Sequence, residues 1–230
     1  NLGTSTLSFG TNNSTTYAGI VQGTGGLIKQ GSGTFTLVNA NPYSGTTRIN
    51  AGEILLQNAA SAGSGSIINS SGLGLNFSNA VFSNNLSSTG TTSVNGQNVR
   101  ISGINSNFSG TWRINGTSSV AAPINLGTAI VSLPSNASQL SLRPVSGAGF
   151  KFENKLQGQG ILSGIMGNSA DEFEFGNNVE NAFEGIVKLG TGAFDLSAGN
   201  TTVLRSATLQ LDEGNKTTVG DGVQNIGPLR

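Results

Sequence analysis

Short apolar runs in which every second residue is polar recur along the whole chain: Phe35/Leu37, Ile54/Leu56, Leu73/Leu75/Phe77, Val99/Ile101, Trp112/Ile114, Ala129/Val131/Leu133, Leu140/Leu142, Phe150/Phe152, Phe173/Phe175, Phe194/Leu196 and Leu209/Leu211. A period of two with one apolar face is the pattern of a strand lying on a core, and the Gly- and Asn-rich stretches between the runs carry turn chemistry. A 3.6-residue period is almost absent, so the pattern predicts an all-β chain.

Internal repeats choose among the all-β architectures. Tyr43-Ser44-Gly45-Thr46-Thr47-Arg48-Ile49-Asn50 returns as Phe108-Ser109-Gly110-Thr111-Trp112-Arg113-Ile114-Asn115, with six of eight positions identical at an offset of 65. A second pair sets Gly26 to Leu37 against Gly185 to Leu196 at an offset of 159, keeping Gly26/Gly185, Lys29/Lys188, Gly31/Gly190, Gly33/Gly192, Phe35/Phe194 and Leu37/Leu196 in register. Strand patterns that survive while the linkers change length are what a solenoid tolerates, because each coil needs only its neighbours. These repeats predict a parallel β-helix of about ten coils at roughly 20 to 25 residues each, with inward Phe, Leu, Ile and Val stacked in ladders. They place residues 26 to 37 and 185 to 196 at equivalent rung positions. Gly31, Gly52, Gly63 and Gly190 are expected at corners, where the backbone visits the left-handed region. A β-sandwich is the rival, and its Greek-key strands do not normally repeat in this way.

Composition narrows the chemistry. His and Cys are both absent from the 230 residues, which removes His-based triads, thiol nucleophiles, structural zinc and disulfides. Only 10% of residues are charged, and 11 basic groups balance 11 acidic ones, so the whole chain has no field to hold a nucleic acid. The charge is divided, however: residues 1 to 148 carry five bases and one acid, a sum of +4, and residues 149 to 230 carry six bases and ten acids, a sum of −4. No run reaches the 18 or so apolar residues of a spanning helix, so the segment is expected not to be membrane-embedded and to be a soluble piece of something larger.

Residues Gly23 to Leu56 resemble the autotransporter-associated β-strand repeat of Gram-negative type V secreted passenger domains. Gly26, Lys29, Gly31, Gly33, Leu37, Asn41, Tyr43, Gly45, Thr47, Ile49, Gly52 and Ile54 match the fixed positions of that pattern, with Phe35 standing where a leucine is usual. Weaker copies at Phe108 to Ile114 and Phe183 to Leu211 extend the resemblance over about half of the chain. The resemblance implies a right-handed β-helix, one segment spanning residues 1 to 230 of a larger passenger. It further implies display on the bacterial cell surface or secretion after periplasmic transit, with the parent attached to an outer-membrane β-barrel. The expected activity is adhesion to a host surface protein or glycan, or self-association with another copy on a neighbouring cell. The alternatives are a structural stalk or autochaperone segment, or a carboxylate-dependent glycan-acting enzyme. Fold does not choose among these.

The candidate sites follow from the charges. Asp171, Glu172, Glu174, Glu180 and Glu184 fall within residues 169 to 184, the largest departure from the repeat texture, where an acidic loop or elaborated coil is expected with no compensating base nearby in sequence. A glycan hydrolase would draw on these carboxylates, and Glu172 and Glu174 would share a strand face. The simpler reading is a solvated acidic segment, so the chain is expected not to be an enzyme, and no cofactor or metal is expected. Arg48 and Arg113 occupy the same place in the repeated octapeptide and would line one side of the rod as a basic strip. Trp112 shares its face with Ile114 and is expected in the core.

Overall fold

The computed structural model describes residues 1–145, 148–164, 172–175, 182–190, 192–195, 206–211 and 215–218. Every strand pairing among them is parallel, and the strands stack into a β-solenoid of nine coils, counted by the nine strands of its longest sheet. At roughly 4.8 Å per rung the stack is about 40 Å long. The only helical element among the described residues is a 3₁₀ turn at Pro123–Asn125.

Three faces surround the core. The first is a six-stranded sheet running from Leu7–Phe9 to Asn107–Phe108, the second the nine-stranded sheet from Thr15–Tyr17 to Ala182–Phe183, and the third a seven-stranded sheet from Ala80–Phe82 to Thr208–Leu211. A four-stranded sheet, Phe150–Phe152, Glu172–Phe175, Gly192–Asp195 and Asn215–Thr218, follows the third face in the later coils, the turn of the coil that the first face held earlier. Between the two, the 3₁₀ turn takes the place of a strand for one coil. Paired residues on adjacent rungs lie 19 residues apart at Thr34 and Glu53, 20 apart at Leu7 and Leu27, and 25 apart at Val131 and Leu156. The added residues go into corners, which leaves the strand ladder intact.

The alternation seen in the sequence builds the core directly. Leu37, Leu56, Leu75, Val94 and Ile114 stand above one another on the second face, each fully buried. A parallel column on the same face runs Ile54, Leu73, Thr92, Trp112, Val131, Leu156. Trp112 is wholly buried, packs edge-on against Phe108 at 5.3 Å, and donates its indole N–H to the Leu126 carbonyl at 3.0 Å. The corners use polar side chains as braces: Asn84 donates to the carbonyls of Gly63 and Gly65, and Asn105 accepts from Leu86 N–H while donating to Asn125 O.

The matched residues 26 to 37 and 185 to 196 are both strand pairs of the solenoid, but they do not occupy equivalent rungs. Leu27–Lys29 and Thr34–Leu37 lie on the first and second faces, whereas Ile186–Leu189 and Gly192–Asp195 lie on the third face and in the fourth sheet. The pleat is inverted as well. Leu27 and Lys29 point into the core with Ile28 half-buried, while Ile186 and Lys188 are half-buried with Val187 and Leu189 inside. The residue after the lysine decides: polar Gln30 is exposed, whereas Leu189 is buried, and one step of register moves every side chain to the other face.

The glycines of the two copies part company for the same reason. Gly31 turns the corner between the first and second faces with φ +66°. Gly190, expected to be its counterpart, is buried directly after Ile186–Leu189, and its N–H donates to Gly164 O at 2.9 Å. Gly190 thus carries the third-face ladder one residue past its strand, and the equivalence with Gly31 drawn from the matching letters does not hold. The strand on the third face is longer by one paired residue than Leu27–Lys29, so the glycine that ends one copy's strand continues the other's.

Tyr43 is another inward polar group. Its hydroxyl hydrogen-bonds Thr47 Oγ1 at the start of the first-face strand Thr47–Ile49, and burial pushes its pKa up to about 12, the Thr47 contact opposing this. A phenol raised from 10.0 contributes stability that is complete below pH 10 and is lost as pH rises toward about 12, on the order of 2 to 3 kcal/mol. Denaturant midpoints measured from pH 9 to pH 12 should therefore fall less steeply in Tyr43→Phe than in the parent chain.

Candidate functional site

Lys29 is the most buried cation among the described residues, 1% exposed at the inner end of its strand. Its ammonium donates to the carbonyls of Gln30 at 2.6 Å, Gly31 at 2.7 Å and Ala51 at 3.3 Å, all at the corner between the first and second faces. Two glycines make the cage. Gly31 and Gly52 both hold left-handed backbone, Gly52 at φ +65°, and a Cβ on Gly52 would lie 2.8 Å from the lysine nitrogen and 2.5 Å from Gly33 O. Burial lowers the Lys29 pKa. Its place in the repeat is therefore structural, a cation tying the carbonyls of two successive coils, and it presents nothing to a ligand.

The arginines do not form the strip expected from the octapeptide. Arg48 and Arg113 are both exposed between buried neighbours, as the local pattern requires, but Arg48 belongs to the first face and Arg113 to the second. Local sequence fixes the pleat of a strand. Which face that strand joins depends on how many corners precede it. Two arginines outside the repeat do share a face. Arg100, between buried Val99 and Ile101, lies on the third face, and Arg143 extends the Gln139–Leu142 strand of the same sheet, its N–H bonded to Val120 O at 2.8 Å. A signal for Arg100 was present, since Arg100-Ile101 is a third copy of the Arg-Ile pair found at Arg48-Ile49 and Arg113-Ile114.

The acidic segment is partly rung. Glu172–Phe175 is a strand of the fourth sheet and Ala182–Phe183 a strand of the second, so residues 172 to 175 are not a projecting loop. Asp171, Glu180 and Leu196, with the side chains of Glu172 and Phe194, lie outside the described residues. Glu174 does have a compensating base: Lys151, its register partner one coil earlier, lies 3.4 Å from it and 3.5 Å from Glu153. The Glu174 carboxylate, with Glu153 behind it, raises the Lys151 pKa. A base 23 residues away in sequence is a direct neighbour across a parallel rung. Glu184 sits at an exposed corner within 3.5 Å of the Gln159 amide.

Lys151, Glu153 and Asn154 also line a cleft of about 600 Å³ where the 3₁₀ turn replaces a strand, opposite Ser106, Pro123, Ile124, Gly127 and Thr128. Among the described residues no three His, Cys, Asp or Glu side chains come together as a metal site. No helix among them is long and apolar enough to cross a membrane.

Comparison with known proteins gives a consistent context. The family model described as the passenger-associated-transport-repeat matches residues 27–56, the segment that contains the Lys29 cage. The adhesin BmaC autotransporter of Brucella suis biovar 1 (strain 1330) is 30% identical over 162 residues, 68% of this chain and 5% of that protein. From Escherichia coli (strain K12), the uncharacterized protein YuaQ is 32% identical over 154 residues, 65% of this chain and 11% of its own length. The uncharacterized lipoprotein YdeK of the same strain is 30% identical over 105 residues, 45% of this chain and 8% of its own. The chain thus spans about a tenth or less of the length of these relatives. No solved structure matches it significantly.

Proposed function

We propose, from the premise that this chain is an autotransporter passenger segment, that it acts at the bacterial cell surface by adhesion, as a non-catalytic contact surface carried by a longer protein. The observation that carries this reading is the outer surface of the solenoid. Among the positions whose side chains point away from the core, Arg113 and Gln157 on the second face and Arg100 on the third are exposed, Ser93 and Ser119 are half-buried, and Ser132, Ser141 and Ser163 are buried between them. The exposed groups offer hydrogen bonds and charge to a partner, and many copies on one cell add avidity. The adhesin relative, similar over two thirds of this chain, supports the same reading. A passenger of this kind reaches the surface through an outer-membrane barrel, which we propose for the parent protein, and the lipoprotein relative offers a lipid anchor as the competing form of attachment.

The test is adhesion by the 230-residue chain coupled to beads. Saturable binding to host epithelial cells or matrix, or clumping of the beads with one another, is the expected result. Beads that neither bind nor clump would assign the segment to a stalk. Turnover of a polysaccharide that Glu174→Gln abolishes would replace adhesion by enzyme chemistry.

A further inference from the structure

In its described residues the third face carries more outward cations than the first or the second, each of which presents one arginine on its strands. Among the described residues its outer surface carries Arg100 and Arg143, with Lys188 further along, and no carboxylate stands within its strands. Between the cations lie small polar side chains in register: Arg100, Ser119, Ser141, Ser163 and Lys188 form one column across five rungs. Ser141 and Ser163 are buried, with the Gln139 amide bonded to both, so the accessible part of this face is formed by exposed Arg100 and Arg143 with half-buried Ser119 and Gln139. Beside them is a hollow of about 200 Å³ lined by Asn98, Thr117, Ser119, Gln139, Ser141 and Arg143, among others. The Gln139 amide in its wall is already ordered. Gln139 Nε2 donates to Ser141 Oγ at 3.2 Å and to Ser163 Oγ at 3.3 Å, and Ser163 Oγ donates to Ser141 Oγ at 2.9 Å. Preorganised donors and acceptors bind with less entropic loss than mobile ones.

We propose that this face binds a linear anionic polysaccharide, lying along the solenoid axis with its carboxylate or sulfate groups on Arg100 and Arg143. The inference rests on the adhesion reading and names the partner class of that surface. Three features favour a polysaccharide. The cations give charge complementarity, with the two arginines about 10 Å apart along the axis, two rungs at the parallel-sheet spacing. Hydroxyl and amide groups that both donate and accept suit sugar hydroxyls. Arg100, Ser119 and the Gln139 and Arg143 pair also stand on three successive rungs, which fits a polymer lying along the axis. An acidic peptide would find no unpaired backbone on a sheet face, since strand addition takes place at an edge.

The experiment measures binding of the full 230-residue chain to immobilised heparin, hyaluronate and neutral dextran, with poly-glutamate as the acidic-peptide probe, at two salt concentrations. The parent chain should bind an anionic polysaccharide, bind dextran at least tenfold more weakly, and lose affinity as salt rises. Arg100→Gln/Arg143→Gln should bind at least tenfold more weakly than the parent, while Arg48→Gln/Lys155→Gln, with the same charge change away from the third face, should bind like the parent. Unchanged thermal melting in both double variants keeps the comparison to binding. Equal losses in the two doubles, equal binding to poly-glutamate, or no binding to any anionic polysaccharide would overturn the proposal. Cell adhesion that persists in the third-face variant would overturn it while leaving adhesion itself in place.

Discussion

Trp112→Ala is expected to cost roughly 3 to 5 kcal/mol, the largest single loss available in this core. The indole is fully enclosed, so its removal empties a site bounded by Thr92 one rung before and Val131 one rung after, with Phe108 beside it. Those neighbours belong to three separate rungs whose backbones are tied into the ladder, and they cannot close the space without breaking it. The Leu126 carbonyl loses its indole donor as well. Trp112→Phe retains most of the volume but not the N–H, and should fall between the two. Urea midpoints of the three proteins check this ordering. A midpoint for Trp112→Ala within error of the parent would show that this part of the core is plastic.

Lys29→Glu should be nearly as damaging, by more than about 3 kcal/mol, because it sets a buried carboxylate against the carbonyl oxygens of Gln30, Gly31 and Ala51. Lys29→Met is the informative companion. It fills the channel with a similar stem and strands the carbonyls without introducing a charge, so its loss should be distinctly smaller. Desolvation already penalises the ammonium, which lowers its pKa, and that penalty fades as pH rises from the lowered value toward 10.5. The difference between parent and Lys29→Met should therefore vary in the alkaline range, where circular dichroism melts can follow it. Equal midpoints for Lys29→Glu and Lys29→Met would mean that the corner has opened to water and that no cage exists.

Strand pleat and the all-β class were legible in the chain because both are local. The alternation at Thr47-Arg48-Ile49 and at Thr111 to Ile114 predicts which residues are buried, and the structure agrees at each. Face and rung were not legible, because they are cumulative properties of every corner upstream. The expected count of about ten coils is close to what the described strands form, nine in the longest sheet with Thr208–Leu211 and Asn215–Thr218 stacked one rung beyond them. The Gly26 and Gly185 copies show a second limit. Their apolar runs lack strict alternation, so matching letters fit either pleat, and only Gln30 against Leu189 tells them apart. That single difference also sends Gly31 to a corner and leaves Gly190 on the ladder. The partner of Glu174 was hidden for a third reason: contacts in a parallel stack are spaced by a coil, and no short-range motif records them.

The 3₁₀ turn at Pro123–Asn125 has a bearing on how the molecule comes apart. It separates the first sheet, which ends at Phe108, from the fourth, which begins at Phe150, so only the second and third sheets carry hydrogen-bonded strands through that coil. In a stack whose stability is a sum of neighbour terms, the coil with the weakest interface is where a cooperative unit ends. The chain accordingly has a built-in fracture plane. Fraying that starts in the early coils can halt there, leaving the later coils, and the part of the third face that continues into them, still folded.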